Sequence, residues 1–437
     1  MTQPLFSVVI PTYNRSNLFP LAVRSLLAQT FEDFEIVVSD NCSHDDTPHV
    51  ARQFNDRRVK YVRTPQHYVI ADSWEFARRQ ATGKLILMLS DDDAFVDSAL
   101  ERFADASVRY DADFVFSAIA QYRDRSFPGP EKNTVECPGC SGRTRVVSTD
   151  EFVRPLYQFR PRFDMHPSAF AFSKQIADFV QARTGRFFWT NGVEFSAWPM
   201  TAVFARNIAF IDAPLNILGR TAKSWGSNMG LANPGKDRIQ AFIDDIDHAR
   251  RFAPLNNFST CNLMAEGMLT AKHLFPREFD GFEFDERSYI DATRRELLRR
   301  RALGVDVSAE MTDVIQYATE KHPSLLVEFD KFDAEARPST ADVVMKSLRS
   351  VGGNLGVRSL RRRLRAFQLA QNLENGTQRT RFSASGDDFG FNDIVGCAEF
   401  LGAYVRRLPR DSECEDSTSG ATAVDRGQKP LGTAAPV

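Results

Sequence analysis

The chain has 437 residues, of which 43% are hydrophobic and 26% are charged, and its net charge is −2 at neutral pH. This balance is typical of a soluble globular protein of two or three domains and gives no electrostatic reason to expect a nucleic-acid partner. No apolar run approaches the roughly 20 residues of a membrane-spanning helix. The strand-like segment Phe6–Ile10 leaves no room for a signal peptide, so we expect a cytoplasmic protein, with the inner face of a membrane as its place of action.

The first hundred residues alternate between strand and helix patterns. Short apolar runs predict strands, and apolar residues at helical spacing predict helices between them. The predicted strands are 6–10, 34–38, 59–62 and 85–89, and the predicted helices begin near Ser16, Asp46, Asp72 and Ser98. This alternation indicates an α/β fold with a doubly wound, mostly parallel sheet and helices on both faces.

The middle of the chain is less regular. A further strand is predicted at 114–116, and residues 123–147, rich in Pro, Gly, Arg and Glu, predict a loop or a small hairpin. Within it, Cys137 and Cys140 have the spacing of metal ligands, but no second CxxC or HxxxH exists in the chain. A zinc site needs about four ligands, so a turn with two free thiols is the favoured interpretation.

After the break at Asn233-Pro234-Gly235 the sequence becomes helical. Helices are predicted at 239–252, 263–275, 289–301, 311–319 and 392–407. We expect an α/β domain over residues 1–233, a mainly helical extension over 234–408 and a disordered tail over 409–437. The basic run 358–365 predicts a solvated helix, and contact with anionic lipid head groups is the alternative.

Three consecutive carboxylates, Asp91, Asp92 and Asp93, follow directly after the buried strand Leu85–Leu89. Carboxylates at the carboxyl end of a strand lie where open α/β sheets bind ligands. Three neighbouring negative charges repel one another unless a cation neutralises them. Hard oxygen ligands of this kind suit Mg²⁺ or Mn²⁺ with a phosphate as co-ligand.

Two other predicted strands end in polar segments. The first ends in Pro11-Thr12-Tyr13-Asn14-Arg15 and the second in Ser39-Asp40-Asn41. No P-loop and no GxGxxG follows any predicted strand, so phosphates must be held by a metal, by side chains or by both. The three strand ends should converge on one edge of the sheet, which predicts a crevice for a nucleoside diphosphate.

Four segments of the chain resemble, in order and spacing, the nucleotide-sugar half of the family 2 glycosyltransferases. They are the PTYNR turn, the linker that contains Leu26, Gln29-Thr30-Phe31 and Asp33-Phe34-Glu35, the Ser39-Asp40-Asn41 turn, and Ala81-Thr82-Gly83 before the acidic strand. The resemblance covers roughly residues 5–225. It implies an inverting enzyme of GT-A fold, with the catalytic domain at residues 1–233.

The resemblance also assigns roles to single residues. Tyr13 is expected to lie against the base, Asp40 to accept a hydrogen bond from it, and Asp91 to face the ribose or the sugar of the donor. Asp92 is expected to coordinate the Mg²⁺ or Mn²⁺ that bridges the diphosphate, and Asp93 to assist. The donor-binding residues implied by the resemblance are Pro11, Thr12, Tyr13, Arg15, Asp40, Asp91 and Arg220.

An inverting transfer needs a base for the acceptor hydroxyl. By the resemblance this base is Glu194, and the alternative is a carboxylate that only stabilises the start of a helix. The chain departs from the family pattern at Trp74-Glu75, where many members have Arg-Asn. Arg220 and Lys223 are the candidates for the positive charge that closes over the diphosphate, and a solvated loop is the equally weighted alternative.

The sequence therefore predicts a glycosyltransferase that moves a sugar from a nucleoside-diphosphate sugar, UDP-linked, to a hydroxyl of a glycan, lipid-linked or protein acceptor. We expect inversion, a divalent metal, peripheral membrane contact, and a place in bacterial surface polysaccharide or glycoconjugate synthesis. A nucleotidyltransferase acting on a sugar phosphate is one alternative, although it would normally show a glycine-rich loop with a lysine after the first strand. An inactive nucleotide-sugar-binding relative is the other, and the intact carboxylates disfavour it.

Overall fold

The structure is a computed structural model and describes residues 3–129, 131–190, 192–224, 252–257, 259–302, 305–327, 329, 355–375 and 380–410. Within these ranges the strands form one 11-stranded sheet. Helices cover both of its faces. The predicted α/β fold, a sheet with helices on both faces, is confirmed.

The first half of the sheet is parallel, as the alternating pattern predicts. Strand β1 pairs with β2 and β4, and β2 pairs with β3, all in parallel. The elements of this half, in chain order, are β1 Phe6–Thr12, α1 Phe19–Leu27, β2 Phe34–Asp40, α2 Thr47–Ala51, β3 Val59–Arg63, α3 Ile70–Arg78, β4 Leu85–Met88, β5 Ala94–Phe95 and α4 Ala99–Arg109.

The second half of the sheet is mixed. Strand β9 lies antiparallel between β4 and β6, while β10 runs parallel to β6 and antiparallel to β5 and β8. The segment 123–147, expected to be a loop or hairpin, contributes β7 and β8, which pair with different strands. The elements are β6 Phe114–Arg123, β7 Thr134–Cys137, β8 Thr144–Val147, α5 Thr149–Tyr157, β9 Phe170–Ser173, α6 Lys174–Thr184, α7 Val193–Phe204 and β10 Ile208–Arg220.

Two hydrophobic cores lie on opposite faces of the sheet. Side chains alternate along a strand, so Val8 and Ile10 of β1 enter one core and Val9 enters the other. Helices α1 and α4 cover the first core. Helices α3, α5, α6 and α7 cover the second. The continuous apolar strands of the sequence are therefore explained by burial on both sides.

The rest of the described chain extends both cores. The predicted helices at 263–275, 289–301, 311–319 and 392–407 are confirmed, whereas 239–252 lies outside the described residues. The elements are α8 Thr260–Leu274, α9 Glu286–Ala302, α10 Ser308–Lys321, α11 Leu355–Glu374, β11 Phe382–Ser385, α12 Gly386–Phe389 and α13 Ile394–Val405. Strand β11 was not predicted and pairs antiparallel with β7 at the edge of the sheet.

Three smaller predictions can be placed on this fold. The basic run 358–365 lies within helix α11. Cys137 and Cys140 are buried free thiols, and burial raises the pKa of both. Across the described ranges, every helix is too short or too polar to cross a membrane.

Candidate active site

The carboxyl ends of three parallel strands form the edge where the predicted site residues lie. Thr12, the last residue of β1, pairs with Asp40, the last residue of β2, and Pro11 is buried just before it. Beyond β4 the backbone N–H of Leu89 donates to the Val9 carbonyl, so the chain stays beside β1 up to the aspartates. The three strand ends converge, as the sequence predicts.

Asp91 is buried and accepts hydrogen bonds from two side chains. The Thr12 hydroxyl donates to Asp91 Oδ2 over 2.7 Å, and Arg15 Nη1 lies 2.6 Å from Asp91 Oδ1. Burial raises the pKa of Asp91, and the positive charge of Arg15 opposes this rise. The structure therefore brings three of the predicted donor-binding residues into direct contact.

Asp92 faces the turn that follows β10. Ser224 Oγ donates to Asp92 Oδ2, and Arg15 Nη1 lies 3.4 Å from the same oxygen. Ser224 is held in turn by Thr221, whose backbone N–H donates to Ser224 Oγ over 2.8 Å. In the part of the chain that the structure describes, Asp92 Oδ1 accepts no hydrogen bond, so this carboxylate has an oxygen to spare.

Asp93 is turned into the protein and is 0% exposed. Its Oδ2 accepts from Ser168 Oγ over 2.5 Å, and its Oδ1 accepts from the Gly219 backbone N–H over 2.9 Å. His166 Nδ1 lies 3.4 Å from Oδ2. Burial and the charge of Asp92 raise the pKa of Asp93 well above its ordinary value. Both oxygens are used within the protein, so the part of Asp93 in metal binding stays a prediction.

Strand β10 passes very close to the aspartates at Gly219. A Cβ atom at this position would lie 1.8 Å from the carbonyl oxygen of Asp92, far inside the ordinary contact distance of 3.4–4 Å. Only glycine allows this approach. The approach brings the next residue, Arg220, to the same edge of the sheet.

Arg220 is the last residue of β10 and lies within electrostatic reach of Asp92 and Asp93. Burial lowers the pKa of Arg220, and the two carboxylates oppose this effect. Among the described residues its guanidinium forms no ion pair. Its charge is therefore available to an anion in the crevice, in agreement with its predicted donor-binding role.

The two residues predicted to bind the base lie in different environments. Tyr13 is 37% exposed, and the centroid of its ring lies 4.3 Å from that of His67. Asp40 is 0% exposed, and its carboxylate accepts from the Ser43 N–H, the Tyr61 hydroxyl and the Arg63 guanidinium. Tyr13 is open to a ligand ring. The hydrogen bond from Asp40 to a base stays a prediction, because donors of its own domain already use its oxygens.

Glu194 lies in the first turn of helix α7. Burial raises its pKa to about 7, and only its own backbone N–H opposes the rise. No other described group donates to this carboxyl group. A carboxylate that titrates near neutral pH can accept a proton from a hydroxyl group, as a general base must. Its position also fits the alternative of a carboxylate that stabilises a helix start.

Glu75, at the departure from the family pattern, holds the segment before Glu194. Its Oε2 accepts from the backbone N–H groups of Phe187, over 3.0 Å, and Phe188, over 3.2 Å. Its Oε1 accepts from Arg78 Nη2 over 2.8 Å. The sequence marked this position only as unusual, and its contacts assign it a role in positioning the backbone.

Ser168 and Ser224 were not predicted. They donate to Asp93 and Asp92 from two segments that are distant in sequence from the aspartates. Single serines in turns have no periodicity or spacing that marks them as functional. Only the folded contacts distinguish them from other serines of the chain.

The divalent metal that the family resemblance implies would need oxygen ligands at this site. Among the described residues, no three His, Cys, Asp or Glu side chains are arranged to hold a metal together. Asp91 and Asp92 do share one cationic partner, Arg15, and Asp92 has a free oxygen. Mg²⁺ is usually bound by one or two carboxylates together with substrate phosphates and waters. These residues would suit a metal that arrives with a diphosphate, with Asp92 as its protein ligand.

Comparison with known proteins agrees with this geometry. Residues 7–180 match the family described as Glycosyl transferase family 2. The GalNAc(5)-diNAcBac-PP-undecaprenol beta-1,3-glucosyltransferase of Campylobacter jejuni is 39% identical over 101 residues, which are 22% of this chain and 32% of that protein. The UDP-Glc:alpha-D-GlcNAc-diphosphoundecaprenol beta-1,3-glucosyltransferase WfgD of Escherichia coli is 26% identical over 138 residues, which are 31% of this chain and 54% of that protein.

Among solved structures, that of S. aureus TarS residues 1–349 matches 68% of this chain and 80% of its own, with 16% identity and a TM-score of 0.40. The chain spans about a third of the length of the first relative and about half of the second. The family match runs from β1 into α6 and includes the three aspartates. The similarity of the chain to glycosyl transferase family 2 is therefore established for residues 7–180.

Proposed function

We propose that this chain is a glycosyltransferase that moves a sugar from a UDP-linked donor to a hydroxyl group with inversion at the anomeric carbon, assisted by a divalent metal. One observation carries the proposal. Thr12 and Arg15 from the end of β1 both contact Asp91 after β4, which brings two segments of the family pattern together at the edge of the sheet where the crevice is predicted. The exposed ring of Tyr13 follows Thr12 in the chain and offers a surface for a base.

The relatives support a lipid-linked acceptor. Two of them are named for transfer to glycans linked to undecaprenol through a diphosphate. We extend this acceptor class to the present chain as a proposal, with other glycans and proteins as further acceptors. Such an acceptor would place the reaction at the inner face of a membrane, in surface polysaccharide or glycoconjugate synthesis.

Each residue of the crevice has a part in this mechanism. Tyr13 stacks on the uracil ring, and the guanidinium groups of Arg15 and Arg220 bind the diphosphate. Asp92 would hold the metal, which would supply positive charge to stabilise the leaving diphosphate. Asp91 orients Thr12 and Arg15 toward the donor. As the acceptor oxygen attacks the anomeric carbon, the carboxylate of Glu194 takes its proton.

The reaction can be tested by its products. Purified protein is mixed with a panel of UDP-sugars, Mn²⁺ and an undecaprenyl-diphosphate-linked glycan, and the nucleotide product is identified. Release of UDP together with a lengthened glycan supports the proposal. Release of pyrophosphate would indicate a nucleotidyltransferase, and the absence of any product with every donor would contradict the transferase.

Asp92→Asn tests the metal-binding assignment. The substitution keeps the shape of the side chain and removes its charge, so we expect Mn²⁺-dependent transfer to fall by about 10² or more while the melting temperature changes little. Asp150→Asn is the matched control, because Asp150 lies in the first turn of α5 and pairs with Arg154 at the surface. Unchanged metal-dependent turnover in Asp92→Asn would show that this residue does not hold the metal.

A further inference from the structure

A guanidinium group already occupies the place where the metal is expected to act. Arg15 Nη1 lies 2.6 Å from Asp91 Oδ1 and 3.4 Å from Asp92 Oδ2, so one positive charge bridges the two carboxylates. Burial opposes the charge of Arg15, but its acidic neighbours outweigh this effect and raise its pKa above the ordinary value. Arg15 is therefore a permanent cation of this site.

Arg15 is also held from the opposite side. Its Nη2 donates to the carbonyl oxygen of Lys223 over 2.7 Å, and Lys223 Nζ donates to the carbonyl oxygen of Asn14 over 3.4 Å. Next to Lys223, Ser224 donates to Asp92. The turn after β10 and the turn after β1 are thus tied together across the two aspartates.

Binding of a divalent cation to the carboxylates of Asp91 and Asp92 is electrostatically unfavourable while Arg15 remains between them. Two positive centres a few ångströms apart in a partly buried site repel each other strongly. The carboxylates offer few free oxygens in return, since Asp91 accepts from both Thr12 and Arg15. A diphosphate removes the conflict, because it supplies oxygen ligands to the metal and a bidentate partner to the guanidinium.

We propose that Arg15 is the resident counter-ion of Asp91 and Asp92 and that it excludes the divalent metal until a nucleoside diphosphate arrives. Metal and diphosphate then enter together, and the guanidinium moves from the carboxylates to the diphosphate. The inference rests on the proposed function, and it makes Arg15 a residue that sets the order of binding. Metal affinity should consequently be low alone and high with nucleotide, and by linkage the nucleotide should gain the same factor from the metal.

The test measures Mn²⁺ binding by electron paramagnetic resonance, with and without UDP, for the full chain and for Arg15→Gln. In the native protein we expect UDP to tighten Mn²⁺ binding by about tenfold or more. In Arg15→Gln we expect Mn²⁺ alone to bind about tenfold or more tightly than in the native protein, because the competing charge is gone. UDP binding in saturating Mn²⁺ should weaken, because the diphosphate loses its guanidinium partner.

Arg58→Gln is the matched control, since Arg58 forms an ion pair with Asp56 away from the aspartates, and its Mn²⁺ affinity should equal the native value. Arg15→Lys retains the charge and should keep Mn²⁺ binding weak in the absence of UDP. If Arg15→Gln does not fold, Mn²⁺ binding by the Arg15→Lys and native proteins, with and without UDP, tests the inference.

Two results would overturn the inference. The first is an affinity for Mn²⁺ alone that is unchanged or weaker in Arg15→Gln. The second is native or Arg15→Lys protein that binds Mn²⁺ equally well with and without UDP. If the protein shows the expected Mn²⁺ and UDP binding but transfers no sugar, the proposed function is contradicted. The proposed role of Arg15 in the order of binding is still supported.

Discussion

Glu194 combines a place at the start of a helix with a pKa of about 7 caused by burial. These properties separate it from Asp91, whose carboxylate is engaged by Thr12 and Arg15. A base must be unprotonated to act and must hold a proton afterwards, so a pKa near the working pH serves both steps. At the residue scale, Glu194 is the candidate whose own chemistry matches its proposed task.

Glu194→Gln gives a prediction about pH. In the native enzyme we expect the rate of transfer to rise with pH through about 7, as Glu194 becomes ionised. In Glu194→Gln this acid limb should disappear and kcat should fall by about 10²–10⁴, while donor binding stays unchanged. Pre-steady-state transfer rates from pH 5 to pH 9 check both points. Glu151→Gln, in the first turn of α5 and paired with Arg145, is the matched control.

The same substitution has a consequence for folding with a defined sign. A folded-state pKa of about 7, above the ordinary 4.5, means that the native protein binds this proton more tightly than the unfolded chain. The contribution of Glu194 to the free energy of unfolding is complete below pH 4.5 and is lost as the pH rises through 7. Glu194→Gln should therefore raise the free energy of unfolding more at pH 8 than at pH 5, by up to about 3 kcal/mol. An equal change at both pH values would contradict a raised pKa.

The candidate site could be predicted only in part. Residues that follow apolar strands, such as Thr12, Arg15 and Asp91, were placed correctly because parallel strands end at one edge of a sheet. Glu35 is different: it looks like part of the same motif, yet its carboxylate accepts from the Ser7 hydroxyl and from Thr82, and so fastens β2 to the turn before β4. A sequence motif contains residues of the candidate site together with residues that hold the fold, and the pattern alone does not distinguish them.

At the scale of elements, helices α7 and α8 meet at the turn that carries Glu194. A Cβ atom on Gly267 of α8 would lie 2.6 Å from the backbone carbon of Phe195 and 2.8 Å from the nitrogen of Ser196. The two helices are therefore in backbone contact one residue away from the candidate base. Helix α8, which follows the family match in sequence, helps to fix the position of Glu194.

Gly267→Ala separates helix propensity from packing. Propensity alone predicts that alanine stabilises α8 by about 0.5–1 kcal/mol. The contact with α7 predicts instead a loss of about 1–3 kcal/mol, together with slower transfer, because neither backbone can move aside cheaply. Urea unfolding and initial rates measure the two effects.

Gly396→Ala is the control for this prediction. The glycine lies within α13, and a Cβ there would be 3.2 Å or more from its neighbours. We expect nearly unchanged unfolding and transfer for this variant. A stabilised and fully active Gly267→Ala protein would mean that α8 does not hold the turn of Glu194.

Helices and strands could be predicted from the sequence where their own apolar residues form a sufficiently long pattern. The four predicted strands of the first hundred residues and four predicted helices of the extension have such patterns, and all are present in the structure. Strands β5, β7, β8, β9, β10 and β11 were missed. Five of them have at most four residues and are defined by their partners rather than by their own pattern. Strand β10 is longer, but Asp212 and Pro214 interrupt its apolar run, and its pairing with β6 shifts register there. A strand as short as Phe382–Ser385 exists only because the edge of β7 is available to it.

At the scale of the whole molecule, the extension is divided between the two faces of the sheet. Helices α8 to α10 pack into the core that contains Val9 of β1. The last described segment, residues 380–410, joins the opposite core, where Ile394 lies 3.2 Å from a Cβ placed on Gly219. Asn133 ties this segment to β7 by donating to Asp387 and to the Phe391 carbonyl oxygen. Sequence order alone suggested a separate helical unit, because nothing local reveals that a distant segment returns to the first sheet.

We expect the segment 380–410 to be required for the catalytic domain to fold. A chain that ends at residue 379 leaves the edge of β7 unpaired and removes ten buried hydrophobic side chains from the core, among them Phe382, Ile394, Leu401 and Tyr404. The burial of these four alone contributes about 6–12 kcal/mol, which is comparable to the whole stability of a typical domain, about 5–15 kcal/mol. We therefore expect the shortened protein to lack a cooperative thermal transition and to aggregate.

A chain that ends at residue 410 keeps β11 and α13 and is the matched control for this truncation. It lacks only the segment predicted from sequence to be a disordered tail, so its melting temperature and UDP binding should equal those of the full chain. Circular dichroism melting and sedimentation of the two shortened proteins check the expectation. If the protein that ends at 379 melted cooperatively within a few degrees of the full chain and still bound UDP, the C-terminal segment would be an appendage. If it did not, the catalytic unit would begin at β1 and end only at α13, with the intervening helices inserted between its strands.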